Sequence, residues 1–325
     1  MATYLVTGAA GFIGAALSRH MLNEGHTVLG VDNLSETYDA RLKQYRLDLL
    51  LAQPGFSFIK ADIADPAIFE KISQRKLPFD AIVNLAAMAG VRFSTVDPWS
   101  YLHTNVLGML NMLEFARQHG VKKFIQASSS TVYGAQGKSP YAETSPTDHP
   151  MQPYAASKKS AEAYAYAYHY LYKLDVSILR FFNVYGPAGR PDMAIFRFCQ
   201  WIAEGRPVKV NGDGSQTRGL TFIDDITRGV MQAMRPVGYD IFNLGGHEVI
   251  SINDLIALLE KKLGRKALVE HGPANPADML DNQADVRKAG VELGWEPSIT
   301  LEDGVGRLVD WYRREREWVK DIRTS

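Results

Sequence analysis

A doubly wound α/β fold around a parallel sheet (Rossmann) is what this chain predicts, and three observations carry the prediction. Residues 3–7 (TYLVT) are a short β-rich run, followed at once by GAAGFIG and then by the apolar-periodic AALSRHMLNEG. That is strand, glycine-rich turn and helix, the opening of a dinucleotide-binding unit. Further apolar runs follow at HTVLGVD (26–32), FSFIKAD (56–62), AIVNLAA (81–87), KKFIQASSS (122–130) and SILRFFNVYG (177–186), with helical stretches between them. Strands alternating with helices predict parallel pairing through crossovers. Beyond residue 186 the pattern is less regular, with Gly/Pro-rich loops at 186–191, 211–219 and 272–276. Helices are expected at about 192–204, 252–263 and 303–319, and 217–234 and 239–246 read as returns to the main sheet. The expected division is a discontinuous dinucleotide-binding domain (1–180 and 219–246) and a smaller α/β substrate domain (181–218 and 247–325).

Composition narrows the function. Of 325 residues 46% are hydrophobic and 22% charged, ordinary globular usage that supports a substantial core. Lys plus Arg and Asp plus Glu balance at 36 each, so no global field points to nucleic acid or a membrane. An anionic ligand therefore needs a local cationic cluster. The lone Cys199, in IFRFCQW, excludes an intrachain disulfide, suits a reducing cytoplasm and reads as a packed helix residue. The N-terminal apolar run is broken by Gly8, Gly11 and Gly14, so neither a signal peptide nor a membrane span is expected. No metal ligand set is expected.

Gly8, Gly11 and Gly14 have the spacing GxxGxxG. Glycine there permits a tight turn, close approach to a pyrophosphate and close helix–strand packing, with the helix N-terminus facing the phosphates. Asp32 ends the second strand, where a carboxylate accepts hydrogen bonds from adenosine ribose hydroxyls and repels a 2′-phosphate. The cofactor expected is NAD rather than NADP. Asp62, in KADI, is placed to reach the adenine amino group or simply to make a turn.

The string YAASK puts Tyr154 and Lys158 one turn apart on a helix face. A free tyrosine, with a pKa of roughly 10, is a poor base at neutral pH. A nearby ammonium and a positive nicotinamide both favour the phenolate. Lys158 can also reach the nicotinamide ribose, and Ser129, at the end of the fifth strand, can hydrogen-bond a substrate hydroxyl while Tyr154 takes its proton. The later Tyr164, Tyr166, Tyr168, Tyr170 and Tyr172 wrap around the helix, which fits packing and subunit contact better than chemistry.

Together GAAGFIG, DNLS, NLAA, ASSSTVYG, YAASK and LRFFNVYGP resemble the extended short-chain dehydrogenase/reductase family over nearly the whole chain. Within it the likeness is closest to nucleotide-sugar 4-epimerases, and GRPDMA (189–194) and MAGVRFS (88–94) look like the branch acting on UDP-glucuronate. The resemblance implies a retained NAD, a catalytic Ser129, Tyr154 and Lys158, a UDP-sugar substrate and a homodimer formed through two helices of the first domain. It adds Phe12, Ile13, Asn33, Lys43, Ile63, Leu85, Ala86 and Ala87 to the cofactor contacts. Asn183 and Arg218 resemble the family's diphosphate-sugar contacts, and Asp278 resembles an acid that holds the nucleotide ribose. Asn275 departs from the Arg or Gln that relatives often carry, which leaves uridine recognition open.

Relatives that dehydrate the sugar carry an Asp-Glu pair after the catalytic hydroxyl residue; here Ser130 and Thr131 stand there. Dehydration is therefore not expected. A 4-keto uronate is a β-keto acid and loses its carboxylate readily, so an epimerase must grip that group. Arg190 is the candidate, since a guanidinium pairs bidentately with carboxylate and a helix is expected to begin just after it. A loop arginine or a diphosphate contact are the alternatives. Ser130 and Thr131 could add hydrogen bonds, and Arg92 is either a substrate-side cation or a structural ion pair. The expected reaction is 4-epimerisation of UDP-glucuronate to UDP-galacturonate. UDP-glucose/UDP-galactose epimerisation and uronate decarboxylation are the alternatives.

Overall fold

The computed structural model describes residues 1–134, 139–246, 248–273 and 282–324. In chain order the strands are β1 (Thr3–Thr7), β2 (Thr27–Asp32), β3 (Phe56–Lys60), β4 (Ala81–Asn84), β5 (Lys123–Ser129), β6 (Asp175–Phe181), β7 (Asn183–Tyr185), β8 (Pro207–Asn211), β9 (Thr217–Phe222), β10 (Tyr239–Leu244), β11 (Val249–Ser251) and β12 (Leu268–Gly272). Seven of them form one sheet in the order β10-β6-β5-β4-β1-β2-β3. Every pairing in it is parallel. The chain order reverses between β1 and β4, and at such a switch point a crevice opens outside the carboxyl ends of the strands.

The period-two alternation of the strands explains why both faces are covered. Leu5, Leu29, Ile82, Phe124 and Ile178 face one way, against Met112, Phe115, Ala161 and Ala165. Their neighbours Val6, Val28, Val83, Ile125 and Leu179 face the other, against Leu17, Met21, Ile226 and Val230. A separate core gathers three further helices. Phe196 and Cys199 from helix Ala194–Glu204 meet Leu255 and Leu259 from Ile252–Leu263 and Val305 and Trp311 from Leu301–Arg314.

Two strand expectations are corrected. The run 177–186 is not one strand: it divides at Phe182, β6 staying in the main sheet and β7 joining a three-stranded sheet in the order β11-β9-β7. Segment 217–222 does not return to the main sheet. As β9 it pairs with β7 in parallel and with β11 antiparallel. The place beside β6 is already taken by β10, in register from Tyr239 opposite Val176 to Leu244 opposite Phe181. The helix after β9, Ile223–Gln232, does rejoin the main sheet, burying Ile226 and Val230 against its face.

Candidate functional site

The glycine loop is shaped by backbone clearances. Gly8 has φ +69°, and a Cβ there would lie 2.8 Å from the Ala86 nitrogen and 2.9 Å from the Leu85 carbonyl carbon. A Cβ on Gly11 would come within 2.9 Å of the Gly8 oxygen, and one on Gly14 within 2.1 Å of it. Helix Phe12–Asn23 begins after Gly11, which has no side chain to cap it. The first-turn N–H groups at Phe12 and Ile13 thus form a ready anion site, and the cradle fits a dinucleotide pyrophosphate. The loop after β4 is fixed beside it: Thr7 Oγ1 donates to Asn84 Oδ1 at 2.6 Å and accepts from the Ala86 nitrogen at 3.2 Å.

The acids expected to hold adenosine converge at the ends of β2 and β3. Asp32, buried, accepts from the Ala10 nitrogen at 3.1 Å and the Leu34 nitrogen at 2.8 Å. Lys43 Nζ stands 3.4 Å from its Oδ1 and donates to Ser35 Oγ at 3.0 Å. Asn33 Nδ2 donates to Asp62 Oδ2 at 3.0 Å, while Asp62 Oδ1 accepts from the Ala64 nitrogen at 2.8 Å. Ile63 is buried next to that carboxylate, and Leu85, Ala86 and Ala87 follow directly after β4.

Ser129 ends β5, and Tyr154 and Lys158 lie in the first turns of helix Pro153–Tyr172. Lys158 is 3% exposed, and its ammonium donates to the Ala127 carbonyl at 2.9 Å. Burial pushes it down to about 8, with the Glu162 carboxylate pulling the other way. Burial raises the Tyr154 phenol above 10.0, opposed by a hydrogen bond with Ser129 and by the charge of Arg190. Ser129 Oγ also accepts from the Thr131 nitrogen at 3.3 Å and Thr131 Oγ1 at 3.0 Å. Chemically, the cluster is a phenol hydrogen-bonded to a serine, with the Arg190 cation near enough to bias its proton.

The expected substrate residues fall into two groups. Arg190 lies within electrostatic reach of Tyr154, and its fork is engaged: Nε and Nη2 meet the Asp192 carboxylate at 3.0 and 2.6 Å. Burial works against both charges, yet Arg190 is held above and Asp192 below its usual range by this pair. The helix after it starts at Ala194 rather than at about 192, because a turn from Arg190 O to Met193 N intervenes. Ser130, buried, accepts from Asn282 Nδ2 at 3.5 Å.

The second group lines a cavity of about 890 Å³, which includes Arg92, Asn183 and Arg218 with Arg197, Arg206 and Lys209. This is the local cationic cluster that a chain of zero net charge needs to hold an anion. Asn183 Nδ2 donates to the Gly219 carbonyl at 3.5 Å, and Arg218 Nη1 to the Thr217 carbonyl at 2.6 Å. Asp278 and Asn275 lie outside the described residues.

Residues 4–245 match the family model described as the NAD dependent epimerase/dehydratase family. The chain belongs to that family. A UDP-glucuronate 4-epimerase of Thermodesulfobacterium geofontis is 47% identical, covering 99% of this chain and all of its own length. Among solved structures, UDP-glucuronic acid 4-epimerase from Bacillus cereus in complex with UDP-glucuronic acid and NAD superposes with a TM-score of 0.90 at 34% identity, over 96% of this chain and 99% of that one. UDP-glucose 4-epimerase from Thermotoga maritima, with UDP-glucose, gives 0.89 at 31% identity, over 97% and 99%. NAD is the cofactor of the family, and the cradle around Gly8 and Asp32 fits it.

Three site residues of this family member escaped the sequence. Asn105, in a π-helical turn (Leu102–Gly108), holds both backbone groups of Met88 at 2.8 and 3.0 Å and donates to Ser157 Oγ at 2.9 Å. Ser157 in turn donates to the Tyr154 carbonyl at 2.7 Å. Glu162 is gripped by Arg180 through two 2.8 Å bonds and by Ser128 at 2.7 Å, directly behind Lys158 and Ser129. Arg46 ties two loops together, through the carbonyls of Ala10 and Ala188. The available signal was a polar residue on an otherwise apolar helix face, and for Asn105 the π turn, which often marks functional sites.

Proposed function

We propose that the protein is an NAD-dependent UDP-glucuronate 4-epimerase, oxidising C4 of the sugar and restoring hydrogen on the opposite face to give UDP-galacturonate. NAD supplies the hydride acceptor and donor. Tyr154 exchanges the C4 hydroxyl proton, Ser129 hydrogen-bonds that oxygen, and Lys158 supplies positive charge from within the same helix. The observation that supports the uronate reading is Arg190, whose charge is within electrostatic reach of the Tyr154 phenol. The carboxylate carbon of a uronate is two bonds from C4, so a guanidinium beside the C4 base is where that group must be gripped. Asp192 keeps the guanidinium extended, and a substrate carboxylate shares or replaces that partner. Arg92, Asn183 and Arg218 take the diphosphate-sugar end in the cationic cavity, and Ser130 and Thr131 supply neutral hydrogen bonds rather than dehydratase acids. Asp278 is assigned to the nucleotide ribose.

Residues 1–180 with 223–246 serve the cofactor, and 181–222 with 247–325 the substrate, β9 going with the sheet in which it pairs. A homodimer accounts for the apolar surface on two helical regions: Phe93, Trp99 and Leu102 on one, Tyr166, Tyr170 and Leu171 on the other, all at least half exposed. No helix among the described residues is long and apolar enough to cross a membrane. A cytoplasmic location is favoured by the single, buried Cys199.

Incubation with UDP-glucuronate and with UDP-glucose, side by side, tests the reading by NMR of the products. UDP-galacturonate as the main product is expected. UDP-galactose formed as fast or faster contradicts the uronate assignment, and carbon dioxide with a pentose product points to decarboxylation.

A further inference from the structure

Arg46 lies in helix Ala40–Leu51, on the face that buries Leu42, Leu47 and Leu50, and is itself only 4% exposed. Buried charges are ordinarily paired with an opposite charge. Among the described residues this guanidinium meets no carboxylate; its bonds all run to neutral oxygens. Nε and Nη2 donate to the Ala188 carbonyl at 2.9 and 2.6 Å, and Nη2 also to the Gly189 carbonyl at 3.0 Å. Nη1 donates to the Ala10 carbonyl at 3.3 Å and to the Tyr38 hydroxyl at 2.7 Å. A guanidinium has five N–H donors, and these five bonds use them all.

The acceptors belong to two places far apart in sequence. Ala10 is in the GAAGFIG loop of the cofactor site, and Ala188 and Gly189 are the residues just before Arg190. Ala188 has φ +52°, a left-handed conformation that costs any residue with a Cβ. Two hydrogen bonds on its carbonyl hold the peptide in that orientation. The direction in which the chain enters Arg190 is therefore set by a side chain anchored on the dinucleotide loop.

We propose that Arg46 is a positioning residue for Arg190, making the place of the cation beside Tyr154 depend on the cofactor loop. This rests on the reading of Arg190 as the uronate contact. A lysine at 46 keeps the charge but carries it as a point with three donors, which cannot span both loops.

The test compares NAD-loaded wild type, Arg46→Lys, Arg190→Ala and the double variant by titration calorimetry with UDP-glucuronate and with UDP, which lacks the uronate. In R46K, UDP affinity is expected to stay within about twofold. The UDP-glucuronate affinity relative to UDP falls about fivefold or more, the loss of a charge-assisted hydrogen bond. R190A lowers the same ratio, and the double variant lowers it no further, since residues acting through one another are not additive. A wild-type ratio in R46K alongside a lowered one in R190A overturns the positioning role while leaving Arg190 its contact. Additive losses also overturn it, by showing that Arg46 acts independently. An unchanged ratio in R190A removes the uronate contact itself and this proposal with it. If R46K does not fold, Tyr38→Phe deletes only one acceptor of the fork. It is expected to lower the ratio about twofold, and an unchanged ratio there counts against the proposal.

Discussion

Around Gly8 the molecule presents backbone to its ligand, whereas around Arg190 and Arg218 it presents long cationic side chains. The first region is a matter of clearance. Three glycines lie where a Cβ would run into the Gly8 carbonyl or the Ala86 peptide, so nothing in it can adjust. The second is a matter of charge, carried on flexible stems that already hold substitutes: Asp192 for Arg190 and the Thr217 carbonyl for Arg218. Clearance fails all at once, and charge fails by degrees. The proposed catalytic pair draws on neither region alone: Lys158 is buried against the Ala127 carbonyl of β5, and Tyr154 is biased by Arg190 of the second region.

The largest effect is expected from Gly14→Ala, whose Cβ would lie 2.1 Å from the Gly8 carbonyl oxygen. Purified G14A is predicted to carry no NAD and to lose more than about 4 kcal/mol of stability, as severe overlap does; acid-released cofactor and denaturant melts report both. Tyr154→Phe comes next. With the proton-transfer group gone, turnover should fall about 10²–10⁴-fold, with NAD retained, measured by product formation against cofactor content.

Glu162→Gln probes the junction. It leaves Arg180 as an uncompensated buried cation, costing about 3–5 kcal/mol in melts. It also removes the carboxylate that holds the Lys158 ammonium up. The folded value, about 8, lies below the ordinary 10.5, so the unfolded chain binds more protons between them. Stability from this group therefore rises with pH through that window, and its burial penalty is complete below about 8. In E162Q the value drops further, and the alkaline limb of the pH–rate profile should move to lower pH. Smallest of the four is Arg218→Ala, for which UDP binding should weaken about tenfold, the scale of one charge-assisted hydrogen bond. That loss should shrink with added salt, while NAD content stays constant. An R218A protein that lost its NAD would erase the distinction between the two regions.

The same contrast separates what the sequence showed from what it hid. The glycine loop, Asp32 and YAASK were legible because each is a local pattern whose geometry follows from strand, turn and helix periodicity. Pairing partners are not local. TRGLTF reads equally well as a main-sheet strand, and only the occupation of that place by β10 sends it to β7 and β11. Arg190 was visible as a cation near a helix start, but not its capture by Asp192, because loop side chains two residues apart have no fixed mutual direction. Arg46 was hidden by its setting: the carbonyls it binds lie in loops whose meeting exists only in the folded chain.

The central claim is that C4 of a UDP-uronate is oxidised and reduced again within one site, with no net redox change. Its most direct test is conversion of UDP-glucuronate bearing deuterium at C4, without added NAD, followed by NMR and mass spectrometry of the product. UDP-galacturonate that keeps its deuterium at C4 is the predicted result. Label lost to solvent, or a product lacking the carboxylate, would contradict it.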